Sequence, residues 1–534
     1  MTWFSLPETQ AENRGAFSDS VSAARWLAEQ PQANAPAMLN ALATQIHALD
    51  TLSMPPRERY KTLEVLRKSA FAVSRECQRR YEGKPLPLLS QEKLVFEAAR
   101  RLWRAYAVAY LHCLRACLDR DPAVVRYSAR MAHRVLSCLR MEQLACYAAS
   151  NELAPGFWGT LHAVLASAEK LGVVREPVED SLLGETREST VSGQYAMALL
   201  LHLARPFALS HGQFAATAQW FSRWREQADV LDLPDDNPRA CCLAIDLAQD
   251  QPIHGNAQPA DVARWLSLTN IMRKMRKRAG MLAEGESPES LKLGNTLSGP
   301  ACVALLNLLS DHLRFPVLSV PEPGATDGSV TVLPGMENIY RALGGRGLKE
   351  SETPAAAYGD RLSHEQLAVF DHVVVHAESD AEKAAESWDI LKRQSEEIQL
   401  FRRPSSGDAR LTFGAVLGLR RADAASYDLA SITGLYARNE GLVVTVVLLP
   451  GRPAPLLVEI RERPTGKAGF YPALVLPGET GDEARVAILP AGLPARALSM
   501  RLSDGREQTR LAWRLDRLVD RGGDNERWAM VSEA

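Results

Sequence analysis

Through the first 315 residues, apolar positions recur at a spacing of three and four, which is the period of an amphipathic α-helix. These segments are rich in Ala, Leu, Arg and Glu, which are good helix formers, and Ser20 and Ser90 stand where N-caps are expected. The predicted helical segments are 20–30, 34–52, 55–81, 90–118, 122–151, 190–209, 211–231, 259–282 and 299–315. Such stripes must be buried against neighbouring helices, so the pattern predicts a stack of helical hairpins, either TPR-like or an irregular bundle. The 34-residue tetratricopeptide consensus is not found, which favours the irregular form.

Beyond residue 315 the apolar positions alternate, and Pro and Gly separate short runs. This pattern predicts an all-helical domain over 1–315, a mixed connector of short strands and helices over 316–368, and a strand-rich domain over 369–534. Asp504 and Gly505 lie between two alternating runs, which is a strong signal for a β-hairpin. Many short strands with even turn spacing are typical of a small antiparallel barrel, so the predicted class is a multidomain α + β protein.

Composition limits the function classes. The 534 residues carry a net charge of −2, with 46% hydrophobic and 24% charged residues, as in an average soluble globular protein of two or three domains. The chain as a whole is therefore not a polycation built to neutralise nucleic-acid phosphates. The best apolar run, 441–451, is about half the roughly 20 residues of a membrane-spanning helix. With no secretion signal at its N-terminus, the chain is expected in the cytoplasm, with its 8 cysteines reduced.

The common catalytic signatures HExxH, GxSxG and GxxxxGK[ST] are absent, and no enzyme activity is expected. Ser167 and Lys170 form an SxxK pair, which on a helix is far more often an exposed polar face than a nucleophile with its base. His372 and His376 are four residues apart on one predicted strand face, but no Cys, Asp or Glu set accompanies them. Neither a metal nor another cofactor is therefore expected.

A basic run, "RKMRKR", places five cations in a stretch of six residues within the predicted helix 259–282. A solvated helix face is the simpler interpretation, and an anionic partner, either nucleic acid or an acidic protein, is the other. The run has no interleaved aromatic residues of the kind on which bases stack. The five cations are Arg273, Lys274, Arg276, Lys277 and Arg278.

The order of C-terminal strands resembles the PilZ-type β-barrel. The resemblance lies in "WDILKRQSEEIQL" at 388–400, then "RLTFGAVLGLR" at 410–420, then "YDLASITGLYARNEG" at 427–441 and a long strand meander. The helical part is similar to the N-terminal region that large proteobacterial PilZ proteins carry ahead of the barrel. The resemblance covers most of the chain through diffuse apolar patterns, and it implies a PilZ-like fold for 369–534.

PilZ domains bind cyclic di-GMP through an RxxxR arm before the barrel and a [D/N]xSxxG motif on the opening strands. Aligned on Trp388, the three motif positions fall on Lys392, Gln394 and Glu397, and none of them matches. The segment before residue 372 holds Arg361 without a second arginine at the required spacing. Two adjacent glutamates would also repel a dianionic ligand. The resemblance therefore implies a PilZ-like barrel without ordinary cyclic di-GMP binding.

The leading hypothesis is a non-catalytic regulatory or scaffold protein that binds protein partners, in bacterial motility, pilus or surface-behaviour signalling by analogy with the family. The first alternative is a cyclic di-GMP-binding effector that uses displaced arginines. A second alternative, nucleic-acid binding through the basic run, remains open. The candidate ligand-binding arginines are Arg393, Arg402, Arg403 and Arg420.

Overall fold

The structure is a computed structural model of the 534-residue chain, and it divides into two compact units. The helical unit comprises Met1–Lys84 and Leu88–Val320, and the β unit comprises Pro85–Pro87 and Pro321–Ala534. The residues that the structure describes are 6–9, 15–30, 33–182, 187–234, 237, 240–253, 263–316, 328–345, 384–439, 441–462, 468–478, 481–493, 497–503, 510–511 and 513–532. Arg361, His372 and His376 lie outside these ranges.

Ten α-helices are described in the helical unit, and most match a predicted segment. Their bounds are α1 Ser20–Glu29, α2 Ala35–Thr51, α3 Pro56–Gln78, α4 Ser90–Leu118, α5 Ser128–Ala148, α6 Phe157–Leu171, α7 Val191–Leu203, α8 His211–Trp224, α9 Thr269–Ala283 and α10 Gly299–Arg314. The two serines expected as N-caps, Ser20 and Ser90, are instead the first helical residues, one position after the N-cap. Asp19 caps α1, and Glu92 accepts the backbone N–H of Leu89 at the start of α4.

The core of the helical unit is centred on α4 and α5. Helix α4 packs against α2, α3 and α5, and α5 packs in turn against α6 and α7. Nearly every residue of α7 is buried, as expected of a helix enclosed on all sides. This arrangement is an irregular bundle. All eight cysteines are free thiols, six of them buried and Cys241 and Cys242 half-buried.

The segment predicted to be all-helical also contains short strands. Strands β1 Val178–Glu179 and β2 Glu188–Ser189 form a small ladder, and β3 Asp229–Leu231, β4 Cys242–Asp246 and β5 Ala263–Ser267 form a sheet in the order β3-β5-β4. The prediction of one helix over 259–282 is therefore wrong in its first part, where β5 precedes α9. Trp265 lies between Leu231 and Ala244 of the flanking strands, and this tertiary pairing outweighs local helix propensity.

The β unit begins with a closed six-stranded antiparallel barrel. Its strands, in the order β10-β11-β8-β7-β6-β9, are β6 Ser329–Pro334, β7 Glu386–Gln394, β8 Glu397–Arg402, β9 Val416–Arg420, β10 Asp428–Arg438 and β11 Gly441–Leu448. Burial alternates along β8, as expected of strands with one face inside a barrel. Strand β6 comes from the segment predicted as a connector, and it closes the barrel by pairing with both β7 and β9.

The remaining strands form a second sheet, so the region predicted as a single barrel holds two β structures. The seven strands are β12 Ala454–Glu462, β13 Ala468–Gly478, β14 Gly481–Pro490, β15 Ala497–Ser503, β16 Arg510–Leu511, β17 Trp513–Arg521 and β18 Asn525–Ser532. Helix α11, Met336–Ala342, packs Ile339 and Tyr340 into a core shared by the barrel and this sheet. Ser503 pairs with Arg510, so the predicted hairpin forms, although its Asp-Gly turn lies outside the described residues.

Candidate functional site

The cluster "LKRQSEE" forms the exposed tip of the hairpin between β7 and β8. Gln394 pairs with Glu397, and Ser395 adopts a left-handed backbone conformation with φ of 52° at the two-residue turn. Trp388, Ile398 and Leu400 are buried barrel positions, whereas the residues from Arg393 to Glu397 are exposed. The strand scaffold expected from the sequence is thus present, and the three motif positions carry Lys, Gln and Glu at its tip.

Arg402 is held in a buried ion pair inside the barrel. Its Nε and one terminal nitrogen donate to the two carboxylate oxygens of Glu386, at 2.7 and 2.9 Å, and the other terminal nitrogen donates to the Ala409 carbonyl at 2.6 Å. The Trp388 indole N–H also donates to Glu386, at 2.8 Å. Because the Arg402 side chain is only 3% exposed, its donors take part in hydrogen bonds that hold the barrel together.

The other three candidate arginines do not meet at one place. Arg403 pairs with Asp389 on the surface at 2.8 Å, and Arg420 lies 4.9 Å from the ring centre of Tyr427. Arg393 is exposed at the tip of the hairpin, whereas Arg403 follows the far end of β8, about 17 Å away at a strand rise of roughly 3.4 Å per residue. The described residues therefore do not assemble the four arginines into one ligand site.

The basic run lies on the outer face of α9. Arg273, Arg276 and Lys277 are exposed, whereas Lys274 and Arg278 cover the buried Trp224 ring at 5.7 and 5.6 Å from its centre. Arg278 also donates to the Leu291 carbonyl at 2.6 Å. Since Trp224 lies beneath these cations, it offers no open face to a nucleic-acid base. The arrangement fits a solvated face with an apolar anchor.

A third feature was not identified from the sequence: two adjoining cavities in the helical unit, which we call the arginine cavity. The outer cavity measures about 160 Å³ and the inner one about 10 Å³, and Phe71, Arg140, Met141 and Leu182 line both. The cavity lies among α3, α5 and α8. Its other lining residues are Arg67, Arg75, Gln78, Trp103, Ser137, Cys138, Leu144 and Ser222.

A buried ion network adjoins the arginine cavity through Arg67, which lines the inner part. Arg67 donates both terminal nitrogens to the carboxylate of Asp180, at 2.8 and 2.6 Å. Arg134 links Asp180 to Glu64, at 3.1 and 3.0 Å, and the Tyr110 hydroxyl donates to Glu64 at 2.6 Å. Burial alone would raise the pKa of Asp180, but the hydrogen bonds and charges of these arginines hold it well below its usual value.

Arg140 differs from its neighbours because no described carboxylate pairs with it. Its Nε donates to the Gln194 side chain at 3.0 Å, and Gln194 in turn donates to the Ser189 hydroxyl at 2.8 Å. The residue is 9% exposed and lines both parts of the cavity. Burial and the charge of Arg225 lower the pKa of Arg140 to about 10, so the side chain remains a cation at neutral pH.

One sequence signal could have pointed to this site. Helix α5 is buried on every side, yet it carries Arg134 and Arg140 among Val135, Leu136 and Leu139. An arginine in a helix that is buried on every side must be paired or used, since long charged side chains are almost never buried otherwise.

The described residues contain no candidate metal site and no candidate membrane-spanning helix. Across the described ranges, no group of three or more His, Cys, Asp or Glu side chains is placed to hold a metal ion. Among the helices of those ranges, none is long and apolar enough to cross a membrane.

Comparison with protein families gave one match. A family model described as "Cyclic-di-GMP receptor FimW, N-terminal domain" matches residues 21–235. These residues run from α1 to just beyond β3, and they contain every residue that lines the arginine cavity. Comparisons with curated proteins and with solved structures gave no match.

Proposed function

We propose that this chain is a non-catalytic cytoplasmic regulator in bacterial cyclic di-GMP signalling that acts through protein–protein contacts. The observation that carries the proposal is the match of residues 21–235 to the N-terminal domain of a cyclic di-GMP receptor. The resemblance of the barrel to PilZ domains supports the same signalling context, with motility, pilus or surface behaviour as the output.

In this proposal the barrel is a PilZ-like interaction module with a replaced nucleotide site. Two features support that role. The motif positions carry Lys392, Gln394 and Glu397, and the buried arginine of the barrel, Arg402, is already bound to Glu386. A guanidinium whose three nitrogens all donate hydrogen bonds inside the barrel is not available for a ligand without breaking that pair.

A genetic experiment in the source bacterium tests the signalling role. The gene is deleted, cyclic di-GMP is raised with an inducible diguanylate cyclase, and surface attachment and surface motility are measured. We expect the deletion to blunt the response, and the wild-type gene supplied in trans to restore it. A deletion strain that responds as the parent does would exclude the proposed role.

A direct receptor is the second candidate, because the matching family is described as the N-terminal domain of a cyclic di-GMP receptor. Isothermal titration of the full chain with cyclic di-GMP separates the two candidates. The matched variant replaces Arg393, Arg403 and Arg420 with Gln and leaves Arg402 in place, since its loss would leave Glu386 buried and unpaired. Binding that disappears in the triple variant supports a barrel receptor. Absence of binding by the wild-type chain supports the regulator that acts through protein contacts.

A further inference from the structure

Arg140 carries donors that no described residue uses. A guanidinium has five N–H donors, and within the described residues the hydrogen bonds of Arg140 reach only the side chain of Gln194. Its remaining nitrogens belong to a side chain that lines a cavity, and its residue is nine-tenths buried. Its neighbour Arg67, by contrast, donates both terminal nitrogens to the carboxylate of Asp180, although its Nε has no described hydrogen-bond partner.

The surrounding charges compensate Arg140 only in part, because Asp180 raises its pKa whereas Arg225 and Arg67 lower it. Across the described part of the cluster, Arg67 and Arg134 share the carboxylates of Asp180 and Glu64, which leaves no carboxylate for Arg140. Arg225 lies close enough to lower the pKa of Arg140 further by repulsion. Burying a charge without a partner is costly, and such groups are normally paired or used in binding. The cavity therefore has an excess of positive charge that an anion would neutralise.

The chemistry of the cavity favours a phosphate over a simple carboxylate. Exposed Arg75 lines the outer cavity and supplies a second guanidinium. Ser137 lines the inner cavity and Ser222 the outer one, where the Ser222 hydroxyl also accepts from Arg225 at 3.3 Å. Two guanidiniums with hydroxyls suit a tetrahedral anion with several acceptor oxygens. At about 160 Å³ the outer cavity is far larger than the roughly 10–15 Å³ that one water needs. We propose that the arginine cavity binds a phosphate-bearing ligand, whose oxyanion is held by Arg140 with Arg75 at the entrance.

The two sources of such a phosphate are free inorganic phosphate and the phosphodiester of a nucleotide such as cyclic di-GMP. The test measures thermal unfolding of the full chain in phosphate-free buffer with increasing inorganic phosphate or cyclic di-GMP, with chloride at equal ionic strength as reference. A ligand that binds only the folded chain raises the unfolding temperature with concentration. We expect at least one of the two ligands to raise it and chloride not to.

Arg140→Met is the deciding variant because it keeps the length of the side chain and removes its charge. We expect it to weaken ligand binding roughly tenfold or more. We also expect its unfolding temperature without ligand to equal or exceed that of the wild type, because an unpaired buried charge is lost. A merely structural arginine would show the opposite, with lower stability and an unchanged ligand shift. Arg80→Met, an exposed arginine outside the cavity, is the matched control and should keep the full shift.

Arg75→Met gives an independent measurement if Arg140→Met does not fold, because Arg75 is exposed on α3 and its loss should leave the fold intact while weakening binding. Stabilisation by phosphate alone identifies a free phosphate site, and stabilisation by cyclic di-GMP alone identifies a phosphodiester site. No stabilisation of the wild type by either ligand, or an undiminished shift in both Arg140→Met and Arg75→Met, overturns the inference. These outcomes do not bear on the deletion experiment, so the two proposals fail separately.

Discussion

Arg402 and Arg403 are adjacent arginines, both in ion pairs, whose side chains are 3% and 63% exposed. Removing one partner of a buried pair leaves the other charge without compensation, which costs about 3–5 kcal/mol, whereas exposed pairs contribute about 0–1 kcal/mol. We therefore predict that Arg402→Met strongly destabilises the β unit and that Arg403→Met is nearly neutral. Urea unfolding of the two variants measures both effects.

Glu386 provides the control for this comparison. Because Glu386→Gln in the Arg402→Met background removes the uncompensated carboxylate, the double variant should recover part of the lost stability. Equal destabilisation by Arg402→Met and Arg403→Met would mean that the buried pair does not support the barrel as described.

Asp50 is a buried acid whose ionisation should be visible in the stability of the helical unit. It is 3% exposed on α2, and burial raises its pKa to about 8, against the opposing charge of Arg59. Between its ordinary pKa of 3.8 and about 8, the folded chain keeps a proton that the unfolded chain releases. Stability therefore falls as pH rises through this window.

The neutral and nearly isosteric Asp50→Asn variant lacks this titration. We predict that its free energy of unfolding rises relative to the wild type from pH 4 to pH 8, as measured by denaturant unfolding at several pH values. His47→Gln, which removes the exposed ring bound to Asp50 Oδ2 at 3.1 Å, tests whether that neighbour causes the slope. A constant difference between Asp50→Asn and wild type across the window would show that Asp50 is ionised in the folded chain.

At the scale of elements, the sequence predicts those helices and strands whose apolar positions repeat with a clear local period. The long helices α3 and α4 have a clear period, and their bounds are within three residues of the predicted segments 55–81 and 90–118. Periodicity does not predict strand β5, because its pairing with β3 and β4 depends on distant residues: Ser267 pairs with Asp229, 38 positions earlier in the chain. The seven-stranded sheet was merged with the barrel because alternation along a strand does not reveal which sheet it joins.

The turn between β17 and β18 docks on the segment before β9 through glycines. A Cβ on Gly522 would come within 2.1 Å of the Gly414 carbonyl oxygen, so the two backbones can approach only without side chains. The Asn525 side chain donates to that carbonyl at 2.8 Å, and Gly523 N–H donates to the Phe413 carbonyl at 3.1 Å. We predict that Gly522→Ala lowers stability by roughly 1–3 kcal/mol, as overpacking commonly does.

Gly212→Ala is the matched control because nothing lies near its Cβ position and it is within helix α8. It should be neutral or stabilising by up to about 1 kcal/mol. Thermal unfolding compares the two variants. If Gly522→Ala proves as stable as the wild type, the turn can move away from Gly414 at no cost.

At the scale of the whole molecule, the arginine cavity shows what a sequence pattern cannot supply. Arg67 and Arg75 lie on α3, Arg140 on α5 and Ser222 on α8, so only the packing of the bundle brings them together. The hairpin motif that the PilZ resemblance implies is different, because its positions lie within ten residues of one another and can be compared from the sequence alone. The sequence shows Lys392, Gln394 and Glu397 at the positions that the PilZ resemblance implies for the motif, but it could not show that Arg402 is already bound to Glu386.

At the scale of the whole molecule, each unit also has a hydrophobic core of its own. The core of the helical unit runs through its helices, and the core clusters of the β unit lie within the barrel and the seven-stranded sheet. A unit with its own hydrophobic core unfolds as one cooperative transition, so we predict two calorimetric transitions for the full chain.

Arg402→Met should lower only the unfolding temperature of the β unit, because the ion pair of Arg402 is internal to the barrel. A ligand of the arginine cavity should raise only the other transition, because every lining residue belongs to the helical unit. Differential scanning calorimetry of wild type and variant, each with and without ligand, assigns both transitions. A single transition that moves with both changes would show instead that the two units unfold as one cooperative body.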